Sequence, residues 1–337
     1  MTETNRNYTL DLIKLIGIII IILHHSGLFK NILYRGYILV EMFFMISGYL
    51  LVSTYEKYPH VSVKQHILKR LKKLYPDYFV AWGIFFVASY IVLKTFPCSH
   101  WFEMISELLL IQNWYKIGGL NYPAWYISVM ILSEIIIYAI LKLTNVKVFR
   151  FFAVVVATLI YIRMFLLKPF VIENWGVYHK IFYMPFWRGF AAMLLGVLIF
   201  YISAKIKPSS VIKYNIIYTI MICAFLLTLF LPYKVDYLSI ILIFMVILLS
   251  TCKCSWLNSL GNTCICKFFY KYQYSLFLNH ACMLSVFRYI EPYLPIQNII
   301  FKLLIILLFV FVGAYIQKSI VIIITHICSK RSCLDGN

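Results

Sequence analysis

Apolar stretches of membrane-span length recur from one end of this 337-residue chain to the other, and few folds can accommodate that recurrence. A bilayer core offers backbone amides no water, so a spanning segment must satisfy them internally, as a helix does. With 63% hydrophobic and 13% charged residues, the chain also carries more apolar surface than a soluble core needs. The spans are expected near Leu10–Phe29, Tyr37–Thr54, Tyr75–Thr95, Pro123–Leu141, Phe149–Leu167, Ile181–Ile202, Val211–Leu231, Tyr237–Ser250, Phe268–Tyr289 and Ile299–Ile324. The expected architecture is therefore all-α: a polytopic integral membrane helical bundle of about ten transmembrane helices.

The polar connections, at most about Glu56–Leu74 and Phe96–Tyr122, are too short to bury a core of their own, so residues 1–337 are expected to form a single membrane domain with no separate soluble domain. The first span is expected to be retained: it is too long for a signal-peptide core, and Ser26-Gly27-Leu28 is a poor cleavage site. Within the second connection, Trp101 to Leu110 has helical apolar spacing with acids on the other face, which predicts an interfacial or re-entrant helix.

A formal charge of +19 would suggest nucleic acid as partner in a soluble chain; here its distribution gives a topology instead. Lys57, Lys64, Lys69, Arg70, Lys72 and Lys73 share one connection, with Lys142, Lys147, Lys205, Lys207, Lys253 and Lys267 on the same side. Fewer, including Lys30, Arg35, Lys116, Lys168, Lys180 and Lys234, fall on the other. The expectation is a multi-pass protein of the cell membrane with both termini cytoplasmic, and no nucleic-acid partner. Nine cysteines include Cys252-x-Cys254 and Cys264-x-Cys266, but structural zinc pairs usually leave two to four residues between ligands, so no metal is expected.

The residues that the bilayer does not explain are polar ones inside spans. Lys14 and His25 are eleven apart, which puts them on one helix face roughly 16 Å apart along the axis. Asp11 can hold Lys14 as an i,i+3 pair, while His24 lies off that face. Glu41 on the second span is expected at the depth of His25, where a carboxylate would fix the imidazole tautomer; a structural ion pair is the other reading. Arg70 and Lys73, three apart where the third span begins, make a cationic face suited to a phosphate-bearing ligand or to topology alone. Arg188 in the sixth span needs a carboxylate or a water-filled cavity, Glu134 in the fourth is expected to be a packing residue, and Asn279-His280 lies mid-way along the ninth.

These residues fall into a pattern. Leu10-Asp11-Leu12-Ile13-Lys14 with His25 eleven on, Val40-Glu41-Met42-Phe43-Phe44-Met45-Ile46-Ser47-Gly48-Tyr49-Leu50, and Arg70-Leu71-Lys72-Lys73-Leu74-Tyr75-Pro76 resemble the membrane-bound acyltransferase-3 family. Ala124-Trp125-Tyr126-Ile127-Ser128, Arg188-Gly189 with Gly196, and Tyr274-Ser275-Leu276-Phe277-Leu278-Asn279-His280 resemble its later motifs, in order along nearly the whole chain. The resemblance implies O-acylation, usually O-acetylation, of a hydroxyl on a cell-surface glycan or lipid-linked sugar precursor. It implies cytoplasmic acyl-CoA, most often acetyl-CoA, as donor substrate rather than a resident cofactor. It also implies that His25 is the essential histidine and that Arg70 and Lys73 belong to the donor site; unlike in some members, no extracytoplasmic esterase-like domain is expected.

Two positions depart from the family pattern. Lys14 stands where arginine is usual, and the fourth span lacks the usual Trp-Ser-x-x-Glu. On this reading Lys14 joins the donor site, Glu41 orients His25, and Asp11, Arg188 and His280 complete a polar pocket, with Arg188 or His280 facing the developing oxyanion. The rival class is a polysaccharide exporter or flippase that makes no bond.

Overall fold

The computed structural model describes residues 6–92, 101–112, 120–172, 178–179, 182–206 and 208–334. Among them the helices are α1 (Tyr8–Ser26), α2 (Leu39–Lys57), α3 (Val63–Ile91), α4 (Trp101–Leu108), α5 (Trp125–Leu143), α6 (Val146–Leu167), α7 (Met184–Ser203), α8 (Val211–Phe230), α9 (Asp236–Ser250), α10 (Trp256–Gly261), α11 (Cys264–Tyr270), α12 (Gln273–Ile290) and α13 (Ile299–Leu334). A two-rung antiparallel ladder pairs Tyr178–His179 with Phe182–Tyr183 ahead of α7. Expectations for Thr95, Phe96, Cys98, Lys116, Lys180, Ile181 and Lys207 lie outside the described residues, as do the side chains of Cys328, Lys330, Arg331 and Cys333.

Helices stand at all ten expected places, and eight of them are long and apolar enough to cross a membrane. The two exceptions have separate causes. At 15 residues α9 reaches only about 22 Å, short of a hydrocarbon core of about 30 Å. At 18 residues α12 reaches further, but it carries Asn279, His280 and Arg288.

Helix starts follow local chemistry. The Asn7 side chain accepts from Leu10 N to open α1, and its amide donates to the carbonyls of Ser250 (2.9 Å) and Thr251 (3.3 Å), tying that start to the end of α9. Ser62 and Gln65 form a reciprocal capping box that starts α3 at Val63, twelve residues before the expected Tyr75. The basic run from Lys64 to Lys73 is therefore helix rather than connection, and α3 continues through Pro76. Its charges set Arg70 and Lys73 on an already formed helix, two turns and more from its start.

At the centre, α2 packs along α7. A Cβ on Gly48 would collide with the Met193 carbonyl, and one on Gly196 with the Met45 carbonyl, so these glycines set how closely the two backbones approach. Most of α2 and α5 is buried, whereas α6, α8 and α13 expose most of their apolar surface at the periphery.

Helix α4 is the amphipathic segment of the second long connection. Trp101, Phe102, Ile105 and Leu109 point outward, and Glu107 is fully buried. The acid turns toward the bundle, where polar partners meet it. There Glu107 accepts from the backbone amides of Leu120 (2.6 Å) and Asn121 (3.1 Å).

Candidate functional site

A cavity of about 410 Å³ opens between α1, α2, α3, α5, α12 and α13 near the start of α1. Lys14, Arg70, Lys73 and Lys318 line it together with a single carboxylate, Asp77. Three of the cations are anchored. Lys14 meets Asp11 at 2.7 Å, and Asp11 also holds Arg6 at 2.5 Å. Lys318 lies 3.0 Å from Asp77, and Arg70 lies 3.2 Å from Glu134. Lys73 has no carboxylate partner among the described residues. Glu134 is thus the counter-ion of Arg70, with His66 3.8 Å from its other oxygen, rather than the packing residue expected.

Phe43, Tyr126 and Phe277 line the inner part of the cavity, and beyond them lies His25 in the last turn of α1. The His25 Nε2 hydrogen-bonds the Tyr122 hydroxyl, and its ring stacks on His280 with centroids 5.5 Å apart and planes 22° apart. The His280 Nδ1 lies 2.7 Å from the Phe277 carbonyl, which can only accept, so the proton sits on Nδ1. That leaves His280 Nε2 a buried lone pair with no hydrogen-bond partner among the described residues. His280 is accordingly a proton acceptor in its neutral form, not the oxyanion donor expected. The guanidinium of Arg288 donates to the His25 carbonyl and holds the end of α1.

Tyr122 is positioned from a distance. Glu107 gathers the amides of Leu120 and Asn121, and the Asn121 side chain donates to the Leu278 carbonyl of α12 at 3.0 Å. The Tyr78 hydroxyl donates to the Glu107 carbonyl at 2.7 Å, fixing α4 on α3. Burial pushes the Glu107 carboxyl up to about 8, against the pull of its two backbone donors.

Glu41 does not orient His25. Both its oxygens are taken by Arg188, through Nε and through a second nitrogen at 2.6 Å. The guanidinium also donates to the Tyr37 carbonyl at 3.3 Å and lies 5.7 Å from the Trp125 ring centroid. A bidentate bond between ions outcompetes a neutral imidazole for the carboxylate, so α2 turns Glu41 toward α7. His24 likewise has a structural place: its Nδ1 is 3.0 Å from the Leu33 carbonyl, and its ring lies over Gly36.

Sequence reasoning passed over Tyr122, Glu107, Asp77, Lys318 and the buried Arg35–Asp236 pair (3.0 Å). Lys318 did give a signal, since it interrupts the apolar run of the tenth span. Tyr122 gave none beyond its place before Pro123. The sulfurs of Cys252 and Cys254 are 2.9 Å apart, and among the described residues no three potential ligands gather around a metal position.

Residues 7–317 match the acyltransferase domain that defines the acyltransferase-3 family, and the chain belongs to that family. Three proteins provisionally named O-acetyltransferases, from Staphylococcus aureus strains COL, MSSA476 and MRSA252, are each 24% identical over 325 residues. Each alignment covers 85% of this chain and 52% of the relative, so the chain spans about half the length of these curated relatives. No solved structure matches it.

Proposed function

We propose that this member of the acyltransferase-3 family is an O-acetyltransferase of the cell membrane, a single membrane domain with both termini cytoplasmic. It moves an acetyl group from cytoplasmic acetyl-CoA to a hydroxyl of a surface glycan or its lipid-linked precursor. One observation carries the reading: a cavity with four cations and one carboxylate ends at aromatic rings, beyond which lies a histidine bonded to a tyrosine. Ammonium groups that already hold one carboxylate keep further N–H donors for phosphate oxygens, and Lys73, with no carboxylate partner among the described residues, adds its own. The roughly 16 Å from Lys14 to His25 suits an extended pantetheine arm running along α1.

In the proposed reaction the acceptor hydroxyl takes the place of Tyr122 at His25 Nε2. Its oxygen bonds the acyl carbonyl carbon as the C–S bond breaks. The hydroxyl proton passes to His25 and from there to the departing thiolate, which closes the balance. The freed Tyr122 hydroxyl is the nearest donor for the oxyanion, while the neutral His280 ring stays stacked on His25. Glu41 and Arg188 take no part in these steps and hold α2 to α7 instead.

Labelled acetyl-CoA supplied to purified protein in proteoliposomes with a glycan acceptor tests this directly. Acetyl transfer is the expected result; glycan translocation with no acetyl-CoA consumed would establish the exporter in its place. Lys73→Glu is expected to raise the donor KM by about 10-fold or more, since a hydrogen bond to a charged group contributes about 1.5–3 kcal/mol. An unchanged KM would remove Lys73 from the donor site.

A further inference from the structure

The route from the cavity to His25 is closed by side chains. Phe277 lines the cavity, and its ring centroid lies 5.9 Å from Phe43, 5.4 Å from Tyr126 and 5.9 Å from His280. His280 in turn stacks on His25. The Phe43 and Tyr126 rings meet that of Phe277 edge to face, at interplanar angles of 77° and 71°. These spacings are those of rings in van der Waals contact, so no chain passes between them without displacing one. Phe277 alone of the three touches both the cavity and the histidine pair.

The three rings differ in how they are held. The Tyr126 hydroxyl lies 2.8 Å from Ser47 Oγ and donates to the Phe43 carbonyl at 3.2 Å, so its ring is anchored at the tip. Phe43 rests on Gly17 of α1, where a Cβ would meet its ring edge at 3.2 Å and would run into Met42. Phe277 has no polar tip to anchor, and its rotation is opposed only by packing. Of the three rings it is the one a thioester can move aside.

We infer that Phe277, backed by Phe43 and Tyr126, forms the partition between the donor cavity and His25 and sets the length of the acyl group that can react. This inference rests on the acyltransferase reading of the same site. A two-carbon acyl group needs the ring to turn only far enough to admit the thioester carbonyl. Each added methylene must pass between Phe43, Tyr126 and Phe277, whose rings are in contact. A methylene in such a pocket discriminates about 10- to 200-fold.

The test is the ratio of kcat/KM for butyryl-CoA to that for acetyl-CoA, in wild type, Phe277→Leu, Phe277→Ala and Gly17→Ala, with unacylated CoA binding measured on each. The partition predicts that Phe277→Ala raises the ratio by about 10-fold or more and Phe277→Leu by less. Gly17→Ala, whose added methyl meets the Phe43 ring edge, is expected to lower it. Because Phe277 lines the donor cavity, the ratio is the readout: a change in CoA affinity common to both donors cancels in it. If Phe277→Ala fails to fold, Phe277→Leu carries the test in the same direction. An unchanged ratio in a folded, CoA-binding Phe277 variant overturns the partition alone. A wild type that binds CoA but transfers neither acyl group overturns the acyltransferase reading, and the partition with it.

Discussion

Glu41 with Arg188 and His25 with His280 are both groups of ionisable side chains set inside a helical bundle, and the structure treats them in opposite ways. In the first group each charge is matched: two carboxylate oxygens face two guanidinium nitrogens, both residues are buried, and a backbone carbonyl takes a further donor. In the second, a buried nitrogen of His280 has no partner among the described residues, and His25 is held by one phenol. Burial in a membrane is costly for both groups. A matched pair offsets that cost within itself. An unmatched imidazole lowers its cost only when something else arrives. On the proposed reading, what separates a structural charge from a chemical one is the state of its hydrogen bonds rather than its depth.

The sharpest way to break this contrast is to remove His25. His25→Ala is expected to lower acetyl transfer by about 10² to 10⁴-fold, the usual contribution of a general base, with normal membrane insertion. His24→Ala serves as the control and should act on packing against Gly36 rather than on rate. Glycan acetylation per unit of inserted protein reads both. Next in size is Glu41→Gln, which leaves the Arg188 guanidinium buried against a neutral amide. Removing one partner of a buried pair costs about 3–5 kcal/mol, so a marked loss of folded protein is expected, read by thermal unfolding in detergent.

A smaller effect concerns Glu107, which shapes the Tyr122 side of the chemical group. Its carboxyl titrates at about 8, above the ordinary carboxylate range, because burial disfavours the anion. The folded state therefore holds a proton that the unfolded state releases. The stability this contributes is fully present below the usual carboxylate pKa and is lost as pH rises through about 8. Wild type is expected to lose thermal stability between neutral pH and about pH 9, and Glu107→Gln to lack that dependence. A pH profile identical in both would show that Glu107 does not titrate in this range.

The two groups were unequally legible in the sequence. Hydropathy located all ten helices, because span-length apolar runs have no other use. It placed the start of α3 too late, since Lys64 to Lys73 look like a cytoplasmic connection; the Ser62 and Gln65 capping box was the overlooked signal. Helix periodicity put Lys14 and His25 on one face, and both line the proposed path. Depth alone suggested that Glu41 should reach His25, but depth does not give the rotation of α2 against its neighbours. That rotation is set by Gly48 and Gly196 packing and by the pull of Arg188, 147 residues away. Tyr122 owes its position to Glu107, Asn121 and Leu278, contacts that no local pattern announces.

The most direct test sets the two groups against each other in one assay, as acetyl turnover from acetyl-CoA per folded molecule for His25→Ala and Glu41→Gln. The account predicts a His25→Ala protein that folds like wild type and transfers about 10² to 10⁴-fold more slowly, and a Glu41→Gln protein that folds poorly while each folded molecule turns over at nearly the wild-type rate. A Glu41→Gln protein that is fully folded but slow, or a His25→Ala protein with near-normal turnover, would contradict it.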